Sequence, residues 1–144
     1  MLYELTYYSV ADNNISQDEV YEILEKSKNK NKNTDITGCL VFHKGQFVQI
    51  LEGEKNAVLR IYEEIEKDKR HSSVTLIASG NKEHRSFESW TMAFLNLDNA
   101  HALSHNTNEF ERSILTFTNL LNNSTVVVDS FWQSVRSLVE SANK

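Results

Sequence analysis

Two short apolar runs, Ile36 to His43 and Gln46 to Glu52, stand back to back with only Lys44-Gly45 between them. A two-residue break containing glycine joins antiparallel strands in a tight hairpin. Side chains alternate along a strand, so the second run puts Phe47 and Leu51 on one side and Val48 and Ile50 on the other. Neither side of such a strand can be left in water. The chain must therefore build a sheet covered on both faces, and the remaining segments can be sorted by the face they cover.

Leu2 to Ser9 sets Tyr3, Leu5 and Tyr7 against Glu4, Thr6 and Tyr8 with the period of two expected of a first strand. Ser16 followed by Glu19 is a capping-box signature, and Val20, Ile23, Leu24 and Ser27 then recur at helical spacing. This helix is expected to give way to a polar loop over Asn29 to Asp35. Val58, Ile61, Tyr62 and Ile65 predict a second helix, Val74 to Ser79 a fourth strand and Met92 to Leu97 a fifth. Right-handed crossovers in a β-α-β-β-α-β order place both helices on one face. The fold class is α+β, a ferredoxin-like sheet. After Asp98, the patterns Phe110, Ile114, Phe117, Leu121 and Phe131, Val135, Leu138, Ala142 predict two more helices, the last capped by Ser130 with Gln133. They are expected to cover the second face. Residues 1–97 then form a core and 98–144 a helical extension. Phe110, Phe117, Phe131 and Trp132 look more than one sheet face needs, which predicts an apolar remainder for a partner or a second copy.

The chain has 144 residues, and its 15 Lys and Arg fall short of 20 Asp and Glu. With no basic excess, no direct binding to nucleic acid or to an anionic membrane is expected. Apolar stretches are only a few residues long, and Glu4 follows Met1 in a strand-like segment where a leader would be basic and then greasy. A cytoplasmic protein is expected. Cys39 is the only cysteine, which excludes an intrachain disulfide framework. His101 and His105 are the only i, i+4 histidine pair and have no third ligand nearby, so no metal site is expected. No glycine-rich phosphate loop occurs, and phosphates would have to be held by Lys28, Lys30, Lys32, Arg70 or helix ends.

Gln49 lies in the middle of the doubly apolar strand, where a primary amide is costly unless its donors and acceptor are met. Tyr7 shares a face with Leu5, and adjacent central strands could bring its hydroxyl to that amide. A satisfied polar pair in a core and a chemically active pair both fit. Trp90 and Met92, two apart, share a face if the fifth strand begins early, as core packing or as redox-active groups.

Taken together, Tyr7-Tyr8-Ser9, Ser27 with Asn31 before Ile36-Thr37-Gly38, Gly45 to Gly53, Asp68-Lys69-Arg70-His71 and Arg85 to Met92 closely resemble the BLUF family, blue-light sensors using FAD. The resemblance covers roughly Met1 to Leu97. Matched position by position, it implies that Tyr7 is the photoactive tyrosine, Gln49 the switching glutamine and Asn31 a flavin-binding asparagine. Trp90 and Met92 correspond to the signal-relay tryptophan and methionine of the last strand. Arg70 and His71 match basic positions lining the flavin pocket, with Ser9 and Ser27 as supporting polar groups. Lys30 stands where the family usually has another Asn or His, and Lys69 where a proline is common. The resemblance also implies the output. On excitation an electron and a proton leave Tyr7 for FAD, Gln49 rearranges, and both return in a changed hydrogen-bond pattern with a red-shifted spectrum. Nothing is turned over, so no enzyme is expected. With roughly 47 residues after Leu97, no effector domain is expected to follow, and the signal is expected to pass in trans to a separate protein partner.

Two other readings share the core. An acylphosphatase-like hydrolase would want a glycine-rich anion loop and an arginine after strand one, and Val10 to Ile15 has neither. A flavin-free regulatory or scaffolding module remains the alternative.

Overall fold

The computed structural model describes residues 2–12, 15–87, 92–96 and 125–142. Its elements in chain order are β1 (Leu2–Ala11), α1 (Gln17–Thr34), β2 (Thr37–His43), β3 (Gln46–Glu54), α2 (Lys55–Lys67), β4 (His71–Lys82), β5 (Ala93–Asn96) and α3 (Val126–Ala142). The strands form one sheet in the order β4-β1-β3-β2-β5. β1 runs antiparallel to β3 and β4, β2 antiparallel to β3, and β5 joins the edge parallel to β2. Two interlocked βαβ units of this kind make the expected ferredoxin-like core.

Local chemistry accounts for the elements. Lys44 and Gly45 both take positive φ, 45° and 75°, which is the type I′ turn whose twist matches the strands it joins. At the far end of the hairpin, Gly38 lets β2 approach β3 closely. A Cβ there would stand 2.0 Å from the Ile50 carbonyl oxygen, so no other residue fits. At the start of α1 the Glu19 N–H donates to Ser16 Oγ at 3.1 Å, and the Ser16 N–H returns a bond to Glu19 Oε1 at 3.4 Å.

Several expectations need correction. The polar run Asn29 to Asp35 is not a loop, because α1 continues through it to Thr34. Thr34 Oγ1 donates back to the Lys30 carbonyl at 2.7 Å, and only Asp35, with φ 57°, leaves the helix through the left-handed region. The fourth strand is twice the expected run, His71–Lys82, since its polar ends pair with β1 despite lacking apolar periodicity. The last helix begins at Val126, where Thr125 Oγ1 accepts from the Val128 N–H at 3.0 Å. Ser130 is therefore inside the helix and caps nothing. Its carbonyl accepts from Ser134 Oγ at 3.0 Å. The helix expected around Phe110 to Leu121 lies outside the described residues.

The sheet is covered on both faces. On the first, Leu5, Leu40, Phe47 and Leu51 meet Val20 and Leu24 of α1 and Val58 and Ile61 of α2. On the second, Cys39, Val41, Val48 and Ile50 meet Val128, Phe131, Trp132, Val135 and Leu138 of α3. Phe131 and Trp132 are thus buried against the sheet and add nothing to an apolar remainder.

The second face also buries charge. Lys82 Nζ donates to Glu4 Oε1 at 2.9 Å, to Glu52 Oε2 at 2.7 Å and to Ser86 Oγ at 2.8 Å, all four residues being buried. Buried ions persist only when every partner is hydrogen-bonded, and Glu52 meets that demand fully. Its Oε1 accepts from Thr37 Oγ1 at 2.9 Å and the Phe87 N–H at 2.6 Å, while Oε2 accepts from the Ser86 N–H at 2.9 Å as well as from Lys82.

Candidate functional site

Tyr7 and Gln49 are direct cross-strand partners in the β1/β3 ladder. Both point to the first face and both are about 2% exposed. The Tyr7 hydroxyl donates to Gln49 Oε1 in a very short bond. Gln49 Nε2 donates to Met92 Sδ at 3.4 Å. A thioether can only accept, so it fixes which end of the amide carries nitrogen, and the carbonyl end is left for the phenol. Thr6 Oγ1, on the opposite face, donates to the Gln49 backbone carbonyl at 2.8 Å and ties the two strands at the same level.

This relay opens on a cleft of about 410 Å³ between α1 and α2. Ile23, Leu40, Leu51, Ile61 and Ile65 supply apolar wall, and Tyr7, Ser27, Gln49, Arg70 and His71 supply polar groups. Desolvation raises the Tyr7 phenol far above its ordinary value, and Tyr62 and Asp68 act in the same direction. It stays protonated and serves as a donor. The Tyr62 ring stands 5.6 Å from that of Tyr7, inclined by 57°.

Arg70, His71 and Lys30 are each engaged. Arg70 forks onto Asp68 through Nε at 3.0 Å and Nη2 at 2.5 Å, and that bond first of all holds the Asp68 carboxyl at about 2. The same partnership raises the Arg70 pKa. His71 Nε2 lies 2.8 Å from the Ile65 carbonyl, which only accepts, so Nε2 carries the proton. Nδ1 is then the acceptor for Ser9 Oγ, also at 2.8 Å. Burial lowers the His71 pKa, in keeping with this neutral tautomer. At the mouth of the cleft Lys30 Nζ meets Glu64 Oε2 at 2.6 Å and bridges α1 to α2.

Of the residues singled out from sequence, the fold thus brings Tyr7, Ser27, Gln49, Arg70 and His71 to one cleft, with Met92 and Ser9 one contact behind them. Asn31 stands in α1, one turn beyond Ser27, and its side chain lies outside the described residues, as does Trp90. The histidine pair His101 and His105 also falls outside them. Sequence reasoning missed Tyr62, Glu64 and Asp68 as parts of the cleft. Asp68 could have been found, two residues before an arginine in a turn. Glu64 could not, because its partner is 34 residues away.

A cleft between two helices with a phenol–amide pair at its base thus stands on one face of a ferredoxin-like sheet. Residues 2–93 match the family described as "Sensors of blue-light using FAD", and the chain belongs to that BLUF family. It is 37% identical over 89 residues to the photoactivated adenylate cyclase subunit beta of Euglena gracilis, covering 61% of this chain and 10% of that one. The chain therefore spans about a tenth of the length of that curated relative. Among solved structures, the dark state of BlrB, a BLUF protein, superposes with a TM-score of 0.66 at 26% identity, covering 76% of this chain and 83% of that chain. BlrP1 of Klebsiella pneumoniae, with FMN and cyclic diGMP, gives 0.69 at 29% identity, covering 81% of this chain and 30% of that one.

Proposed function

We propose that the chain is a blue-light receptor that holds FAD between α1 and α2 and reports illumination through Gln49 and Met92. The observation that carries this reading is the buried relay of Tyr7, Gln49 and Met92 at the base of the cleft. The cleft volume is in the range usual for small organic ligands. Its aliphatic walls suit the two faces of an isoalloxazine ring, and the Gln49 amide suits the ring's polar edge. Ser27, Asn31, Arg70 and His71 are the further cofactor positions in this reading. FAD is favoured by the family description, and FMN is the competing form, since it is the flavin named with BlrP1.

A bound flavin supplies a ring that absorbs blue light and, when excited, accepts an electron. The chain's residues do the rest. Tyr7 holds its phenolic proton at the Gln49 carbonyl, in a dry site where the neutral form is strongly favoured. Turning the Gln49 amide by half a rotation exchanges its oxygen and nitrogen. Met92 Sδ would then face an oxygen it cannot donate to, so the turned amide releases Met92. That differential contact is what lets a change beside the flavin bias the strand that follows Met92. Trp90, two residues earlier, is assigned to the same relay.

In this reading residues 1–97 are the sensing core and 98–144 its helical cover. The chain performs no turnover and signals in trans to a separate protein, as a homo-oligomer in the cytoplasm. Among the described residues no helix is long and apolar enough to cross a membrane.

The test is to load the purified protein with FAD, illuminate it with blue light and follow its spectrum back in the dark. A red shift that reverses is expected. Irreversible bleaching, or no shift with flavin bound, overturns the receptor reading, and refusal of flavin favours the scaffold.

A further inference from the structure

The connection from β4 to β5 must carry the chain from one edge of the sheet to the other, past β1, β3 and β2. It also changes faces. Phe87 packs in the second-face cluster, its ring 6.2 Å from Phe131 of α3 and nearly perpendicular to it. Met92, five residues later, packs in the first-face cluster and accepts from Gln49. Five residues of chain reach at most about 18 Å, so the two ends cannot move independently over large distances.

One side chain grips this crossing. Glu52 lies three residues beyond Gln49 on β3 and projects to the opposite face, with its carboxylate receiving the backbone N–H groups of both Ser86 and Phe87. Lys82 braces the same spot by donating to Glu52 and to the Ser86 hydroxyl. Arg85 closes the far side, with Nη1 donating to Thr37 Oγ1 at 2.9 Å and Nη2 to the Asp35 carbonyl at 2.7 Å. Strand β3 thus touches the crossing twice: through Gln49 at Met92 on one face, and through Glu52 at Ser86 and Phe87 on the other.

We propose that Glu52 is a positioning residue of the light response, a fixed pivot that makes movement of Met92 reach α3 through Phe87 instead of dissipating in the crossing. The proposal rests on the receptor reading above. A charged acceptor of four bonds with no exposure is a stiff anchor, because releasing any donor leaves a buried polar group unmet. Phe87 inherits that stiffness through its N–H and passes it to Phe131 by ring contact.

The test compares wild type, Glu52→Gln and Phe87→Leu, each loaded with FAD, by spectroscopy and by amide hydrogen exchange in dark and light. Glu52→Gln keeps the shape and leaves Lys82 balanced by Glu4. It should keep the reversible red shift, speed exchange at Ser86 and Phe87 by about tenfold, and abolish the light-minus-dark difference across residues 126–142. Phe87→Leu should keep slow exchange at residue 86 and still lose the α3 difference. If either variant retains the wild-type α3 difference, the pivot is refuted, and lowered stability alone in Glu52→Gln would mark a purely structural anchor. Wild type without a red shift would instead sink the receptor reading, an outcome distinguishable from the first.

Discussion

Gln49 turns its amide nitrogen toward the sulfur of Met92, 3.4 Å away, and so spends its best donor on a weak acceptor. The opposite end of the same amide accepts from Tyr7. A group held firmly at one end and loosely at the other can be turned by a change at the firm end, and this orders the consequences of altering each neighbour.

Tyr7→Phe removes the phenolic proton while keeping ring volume. Flavin binding should persist and the reversible red shift should vanish. Tyr8→Phe should change neither, because Tyr8 belongs to the second-face cluster. Absorption spectra before, during and after blue illumination decide between them.

Gln49→Leu leaves the Tyr7 hydroxyl buried without its acceptor. The variant should lose about 1–3 kcal/mol in urea denaturation, the cost of an unmet buried donor. It should bind flavin without forming a shifted state. A normal red shift would remove Gln49 from its assigned role.

Sequence patterning reached the central strands of this protein well and its polar margins poorly. Phe47, Val48, Ile50 and Leu51 announce a doubly covered strand because burial itself imposes the alternation, and Tyr7 and Gln49 stood out as polar groups in that apolar setting. The last turns of α1 had no such signal. Asn29 to Thr34 are helical because the preceding turns are packed and the register carries on, which no local propensity records. Likewise Ser72 and Ser73 belong to β4 through pairing with β1, including a bulge where Ser73 takes φ 52°. Lys82 and Glu52, thirty residues apart, meet only once the sheet has formed.

Gly38→Ala should be severely destabilising, since its methyl would collide with backbone that cannot swing aside. A loss near about 3 kcal/mol, the upper end for overpacked cores, is expected in urea denaturation. Gly80→Ala, where nothing lies within 4 Å of the added carbon, should lose far less.

The pH dependence follows from His71. Its pKa in the fold lies below the ordinary 6.5, chiefly through desolvation, so the unfolded chain takes up the proton first as pH falls. Stability contributed by neutral His71 is present above 6.5 and is lost progressively below it, toward the depressed folded value. Asp68, held at about 2, does not titrate in that window. Urea midpoints at pH 7.5, 6.5 and 5.5 should therefore fall in wild type and fall less in His71→Gln.

The row Tyr7, Gln49, Leu40, Phe94 runs straight across β1, β3, β2 and β5, each residue the register partner of the next. The spacing of the Tyr7 and Gln49 backbones is thus inherited from the peptide hydrogen bonds of one ladder, which no side-chain packing is needed to set. Helices above the sheet can drift or exchange residues over evolutionary time without detuning the pair. Slipping one strand by a single residue would instead send Tyr7 or Gln49 through to the other side, so the instrument is either in tune or not assembled at all.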